Sequence, residues 1–315
     1  METKVDIRRI IIFMSLAFGI AWSTGLYIYL NGGLVNSPEI APGITQALIL
    51  LAVPYMWAPA LAHILTRLLT REGWKDIGLR PNFRRGWLYW LMGWVLPSVM
   101  TIIGGALFFL VFPANFDPKL ARVQQLMANS PSLAHFSPWG VMAFETIVAV
   151  LVSPIANSLA TFGEEFGWRA YLLPRLLPLG WRKAMLLLGL IWGVWHWPVI
   201  FMGYEYGFNY PGYPYLGPLL FIWITFCFGV FLAWLTLRAK SVWPAVIGHA
   251  AINGIAALAA LVTLGSLNPL LGPLPVGIIG SLGYALVAIL LFISPGIETM
   301  LPIFHNQVAG PDGLS

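Results

Sequence analysis

Residues 216–240 read LGPLLFIWITFCFGVFLAWLTLRAK. From Leu216 to Leu237 there is no charged side chain, and Arg238 and Lys240 follow at once. A run of this length supplies the roughly 20 helical residues that cross a hydrocarbon core about 30 Å thick, with cations waiting at the head groups. The same pattern recurs along the chain. Approximate spans are 10–32, 45–69, 87–112, 138–163, 184–203, 216–237, 242–263 and 274–294, about eight in all by the length criterion. Backbone N–H and C=O groups cannot stay unpaired in lipid, and alternating strands of about 10 residues are absent, so the spans are helices. The expected fold class is an all-α, polytopic membrane protein.

Composition agrees. The chain is 59% hydrophobic and 9% charged, against roughly 25% charged in soluble domains. No hydrophilic block is long enough to fold alone, so residues 1–315 read as one membrane-embedded domain. The net charge of +5 would suit nucleic acid if it were clustered on a soluble face. Here the cations occupy short connections between apolar runs, which excludes nucleic acid as a partner and points to anionic lipid head groups. The single cysteine, Cys227, forms no intramolecular disulfide and reads as a small buried side chain. The first span follows Lys4, Arg8 and Arg9 but runs too long for a signal peptide and lacks a small-residue cleavage site.

The cations also set an expected orientation. All of the 17 Lys and Arg residues except Lys119 and Arg122 fall at the N-terminus or in alternate connections, including Arg67, Arg71, Lys75, Arg80, Arg84 and Arg85 between the second and third spans. The positive-inside rule places that side, with both termini, in the cytoplasm, and in a bacterial or archaeal cell the membrane would be the plasma membrane. The segment 70–87 reads as a basic topology anchor. The cation-free stretch GYEYGFNYPGYPYLGP, residues 203–218, is expected at the outer interface as part of an aromatic belt, with a ligand-binding aromatic loop as the alternative. The tail after Ser294 reads as a short polar end.

Ionisable groups within or beside the spans are His63, Glu145, Glu164, Glu165, Arg169, His196 and His249. Such groups are costly in a bilayer and face a protein interior or a wet cavity. In TFGEEFGWRAYLLPRL, residues 161–176, Glu165 and Arg169 are four apart and can pair on one helical face, while Glu164 is rotated about 100° away. That stretch alone fits either a charged helix end docked at the head groups or a site. In LIWGVWHWPVIF, residues 190–201, His196 lies among Trp192, Trp195 and Trp197, about 18 Å along a helix starting near Ala184, and needs a partner. In VIGHAAING, residues 246–254, His249 and Asn253 share one face, flanked by small residues that permit close helix approach. The three spans deliver these groups from the same halves, as a shared cavity requires. A straight fourth span starting at 138 would carry Glu164 past the inner surface, so a kink near Pro154, a tilt or a later start is expected. His63 and Glu145 read as structural, and His135 and His305 as solvated.

The combination Glu164-Glu165-x-x-x-Arg169, Trp192-x-x-x-His196 and His249-x-x-x-Asn253, spread over the fourth, fifth and seventh spans, resembles the CAAX protease and bacteriocin-processing (CPBP, or Abi) family, which includes the type II CAAX prenyl endopeptidases. By motif the resemblance covers about residues 140–260. The second motif usually opens with Phe, and Trp192 replaces it as an aromatic filler.

The resemblance implies an intramembrane endopeptidase with a cavity open to the cytoplasm. Glu164 would be the general base and His196 would orient the attacking water. His249 and Asn253 would stabilise the oxyanion, and Glu165, Arg169 and Trp192 would support the site. The expected partners are membrane lipids and a protein or lipidated-peptide substrate. No Ser or Cys nucleophile is suitably placed, and no cofactor is expected. A zinc enzyme with Glu164, His196 and His249 as ligands is the alternative; the absence of HExxH and the Asn beside the second His weigh against it. Two other classes fit the charges: a non-catalytic immunity or scaffold protein of the same fold, and a transporter, although no internal repeat is visible.

Overall fold

In a computed structural model, the residues described are 5–294, apart from 76 and 134; His305 and the polar tail lie outside them. The fold is all-α, with one small hairpin, Glu39–Ala41 against Ile44–Thr45, in the first connection. Among the described residues six helices are long and apolar enough to cross a membrane: Ile7–Leu30, Gln46–Leu69, Phe83–Val111, Pro138–Ala156, Leu216–Ala239 and Trp243–Leu261. The chain is a multi-pass membrane protein.

The remaining two expected spans differ from a simple rod. The fifth is split at His196 into Trp181–Trp195 and Trp197–Phe201. Pro198 has no N–H to donate, and its ring clashes with the carbonyl four residues back, so the ladder stops there. The eighth, expected from 274, becomes helical only over Leu282–Ile293. Pro269, Pro273 and Pro275, with Gly272, Gly277 and Gly280, hold the preceding stretch in turns.

The fourth span resolves the placement of the acid pair. Pro138–Ile147 runs into a π-helical turn at Val148–Val152, then Ser153–Ala156, and steps sideways at Asn157 into Ser158–Gly167. A second π turn, Trp168–Leu172, follows. This broken rod lies antiparallel to Trp243–Ile255. Asn157 Nδ2 donates to the Ala250 carbonyl at 3.4 Å and Thr161 Oγ1 to that of Val246 at 3.0 Å. Glu164 and Glu165 are therefore level with the first turns of the seventh span, inside the bundle.

Two glycines seat this segment. A Cβ at Gly163 would lie 2.6 Å from the Met56 carbonyl oxygen and 2.8 Å from Trp57 Cα, and one at Gly167 would lie 2.6 Å from the Pro59 carbonyl. Only a hydrogen at these positions lets the two backbones touch. At the end of the bundle where the cations gather, Glu72 ties three elements together. It accepts from the Tyr171 hydroxyl at 2.8 Å, pairs with Arg175 and lies 3.3 Å from Arg9. Burial alone would raise the Glu72 pKa, but Arg175 and the hydroxyls of Tyr171 and Thr70 outweigh it and hold it low.

Candidate active site

Successive residues on a helix point about 100° apart, and the two glutamates separate accordingly. Glu165 Oε1 accepts from Arg169 Nη1 at 2.9 Å and from His249 Nδ1 at 2.9 Å. Glu165 is 0%, Arg169 1% and His249 6% exposed, so this is a buried three-membered charge network joining the fourth and seventh spans. The Arg169 guanidinium also lies 4.2 Å from the centroid of the Trp192 ring, a desolvated cation–π contact.

Glu164 faces the other way. Its Oε2 accepts a hydrogen bond of 2.7 Å from Trp192 Nε1. The expectation that Trp192 only fills space where Phe is usual is therefore corrected: the indole N–H, which Phe lacks, grips the carboxylate. His196 Nδ1 lies 2.8 Å from the Trp192 carbonyl, an acceptor, so Nδ1 carries the proton and Nε2 is left for other partners. The break at His196 presents the ring edge-on to Trp195 and Phe221.

Glu164, His196, His249 and Asn253 line one cavity. Its volume is about 80 Å³, room for a few waters. Asn253 is exposed and sits one turn beyond His249. With His249 Nδ1 committed to Glu165, its Nε2 is a hydrogen-bond donor only in the imidazolium form. The structure thus brings all four expected residues to one space and puts Glu165 and Arg169 behind it. Tyr55 completes the wall, its hydroxyl donating to the Trp195 carbonyl at 2.7 Å.

The far wall departs from expectation. Tyr204, Glu205, Pro275 and Val276 also line the cavity, and they come from the two late connections that lack Lys and Arg. The cavity therefore extends toward the cation-poor end of the bundle, not toward the basic end that the resemblance implied. The 5–6 connection is correspondingly more than an interfacial belt. Tyr206 and Tyr210 are buried, and the Tyr206 hydroxyl donates to the Val276 carbonyl at 2.8 Å, which folds the loop inward.

Glu205 is the residue that sequence reasoning missed. It is the single acid in residues 203–218, and that isolation was the available signal. Its backbone is left-handed, φ 66°, between Gly203 and Gly207, a conformation few non-glycine residues adopt. Burial pushes its carboxyl up to about 7, against the opposing pull of the Tyr204 hydroxyl.

Among the described residues no three His, Cys, Asp or Glu side chains converge as ligands would on a metal ion; one nitrogen of His249 is held by Glu165 and one of His196 by a carbonyl. The remaining polar groups lie outside the cavity. His63 accepts from Arg67 Nε at 2.7 Å and its Nδ1 lies 2.8 Å from the Phe166 carbonyl. Glu145 and His135 are exposed, and Cys227 is buried.

A family model for type II CAAX prenyl endopeptidases, described as Rce1-like, matches residues 138–255. CAAX prenyl protease 2 of Methanococcus maripaludis is 33% identical over 125 residues, which cover 39% of this chain and 45% of that protein. The chain is similar, from its fourth to its seventh span, to the family its motifs resemble. The match spans a little under half the length of that curated relative.

Proposed function

We propose that this chain is an intramembrane endopeptidase that hydrolyses a peptide bond with a water activated by Glu164. The observation that carries the reading is the division of labour between adjacent acids. Glu165 is consumed by Arg169 and His249, while Glu164, His196 and Asn253 share a cavity with room for a few waters. A scaffold has no use for that separation.

Glu164 takes a proton from water as the water oxygen attacks the scissile carbonyl carbon, and His196 Nε2 accepts the second water hydrogen to fix the angle of attack. The carbonyl oxygen becomes an oxyanion, and the Asn253 side-chain amide donates to it. His249 Nε2 donates as well when its ring is charged, with Glu165 balancing that charge. Such donors act strongly where water is excluded, and removing one commonly costs about 10²–10³ in rate. Glu164 then passes its proton to the leaving amine as the C–N bond breaks. Trp192 holds the carboxylate at the angle this exchange needs. No step requires a metal.

The proposed substrate is a lipidated peptide cut near its C-terminus, a reading supported by similarity to a protein named CAAX prenyl protease 2. The test uses the full chain in lipid nanodiscs with a peptide carrying a farnesylated cysteine near its C-terminus. Wild type should cleave it, and Glu164→Gln should lose about 10²–10⁴ in rate, the usual worth of a general base. Cleavage that survives Glu164→Gln removes the assigned base. Loss on chelation, restored by zinc, overturns the metal-free reading.

The basic connections, and with them both termini, are assigned to the cytoplasm. In a Cys227→Ser background, Lys75→Cys should react with an impermeant maleimide only from inside and Asn209→Cys only from outside. The reverse pattern would invert the orientation.

A further inference from the structure

Within the cavity, the charge balance is unequal. Its lining residues include two acids, Glu164 and Glu205, and two histidines, His196 and His249, and no Lys or Arg. Glu165, the third acid nearby, is neutralised by Arg169 at 2.9 Å. Among the described residues no ion pair holds Glu205; the Tyr204 hydroxyl on its own loop is the group that opposes the effect of burial on its carboxyl. The other titratable groups lining this space are Tyr204 from the same loop, Tyr55 from the second span, and Glu164, His196 and His249 from the fourth, fifth and seventh. None of them supplies a permanent positive charge. A half-buried carboxylate on an otherwise apolar wall, reached through the same space as the candidate base, lacks a counter-charge that a bound molecule can bring.

We infer that Glu205 is a recognition carboxylate that takes a cationic side chain of the substrate, a lysine or arginine near the scissile bond. The inference rests on the endopeptidase reading for the identity of the ligand as a peptide. Three features of the loop support it. Gly203 and Gly207, themselves at positive φ, flank a left-handed Glu205, which makes this a tight, defined turn. Tyr206 is pinned to Val276 by its hydroxyl, which anchors the adjacent residue. Tyr204 and Glu205 line the same cavity as Glu164, so a substrate seated for attack passes them. The same group disfavours an acid: a peptide carboxylate brought to that wall meets like charge unless one of the two is protonated.

The sign of the pH dependence follows. The carboxyl titrates near 7, so the attraction for a cation is present above that value and fades below it. A bound lysine draws Glu205 toward its ionised form, and discrimination should grow from pH 6 to pH 8.

The experiment uses farnesylated peptides identical except for lysine or norleucine, scanned over the three residues on each side of the cleavage point. Their Kd values for the full chain in nanodiscs are measured by fluorescence anisotropy at pH 6 and pH 8, with cleavage by wild type followed in parallel. At one position wild type should prefer lysine by about tenfold at pH 8, the worth of one partly desolvated charge pair, and by less than about threefold at pH 6. Glu205→Gln should abolish the preference and Glu205→Asp should retain part of it; melting temperatures establish that both variants fold. A preference that survives Glu205→Gln, or no preference at any position, overturns the inference. Peptides cleaved without preference would leave the endopeptidase standing and remove the role of Glu205. Peptides bound with a Glu205-dependent preference but never cleaved would do the reverse.

Discussion

Removing Arg169 should be among the most damaging single changes to the fold, and the size of the effect can be worked from its surroundings. The guanidinium and the Glu165 carboxylate are both 0% exposed as side chains and meet at 2.9 Å. Among the described residues Glu165 Oε2, Arg169 Nε and Arg169 Nη2 have no hydrogen-bond partner, so the remaining contacts carry the pair. Arg169→Met keeps an unbranched chain against the Trp192 ring but strands the carboxylate with His249 alone. Breaking a buried pair from one side costs about 3–5 kcal/mol, and Glu165→Gln, which strands the arginine, should cost a similar amount. Glu165→Gln with Arg169→Met leaves no uncompensated charge, so the double variant should be less destabilised than the sum of the singles by about 2–3 kcal/mol. Reversible unfolding in mixed micelles, followed by tryptophan fluorescence and far-UV circular dichroism, measures all four states. Additivity within about 0.5 kcal/mol, or an Arg169→Met variant as stable as wild type, would refute the view that these ions balance one another.

Three further outcomes are expected. Trp192→Phe removes the 2.7 Å donor to Glu164 and keeps most of the ring; since a hydrogen bond to a charged group contributes about 1.5–3 kcal/mol, kcat/KM should fall about tenfold or more, and an unchanged value would reduce the indole to a spacer. Gly163→Ala pushes a methyl against the Met56 carbonyl and Trp57 and should destabilise by about 1–3 kcal/mol, read as a lowered unfolding midpoint beside a neutral control such as Gly19→Ala, where a Cβ meets nothing within 4 Å. The carboxyl of Glu205 stands at about 7 in the fold against 4.5 ordinarily, so the folded state holds its proton more tightly. The stability this confers is complete below about pH 4.5 and lost as pH rises to about 7; melting temperatures over that interval should fall in wild type and fall less in Glu205→Gln.

Much of this was legible because bilayer physics is blunt. Apolar runs of sufficient length announce helices, and the i, i+4 spacing of Glu165 and Arg169 announces their bond. What escaped depends on rotation and on loops. Which His249 nitrogen meets Glu165 is set by how two helices turn toward each other, and no spacing within one helix encodes that. Trp192 was read by its volume, although its N–H is the atom that matters. Pro198 marked the interruption at His196, yet a proline inside an apolar run fits a kink as well as a break. Glu205 sat in a segment rich in Tyr, Gly and Pro, whose inward fold depends on the burial of Tyr206 and Tyr210 and leaves no periodic trace.

The wide turn at Val148–Val152 has a consequence for how such a chain can change. A turn of this kind absorbs one residue beyond the regular ladder, so deleting a single residue there would restore a regular turn and leave the acid pair facing as it does. A deletion in a regular turn nearer the pair would swivel it by about 100°, trading the places of Glu164 and its neighbour relative to the water chamber. Between the wide turn and Glu164, Gly163 apart, the count of residues constrains the site more than their identities do.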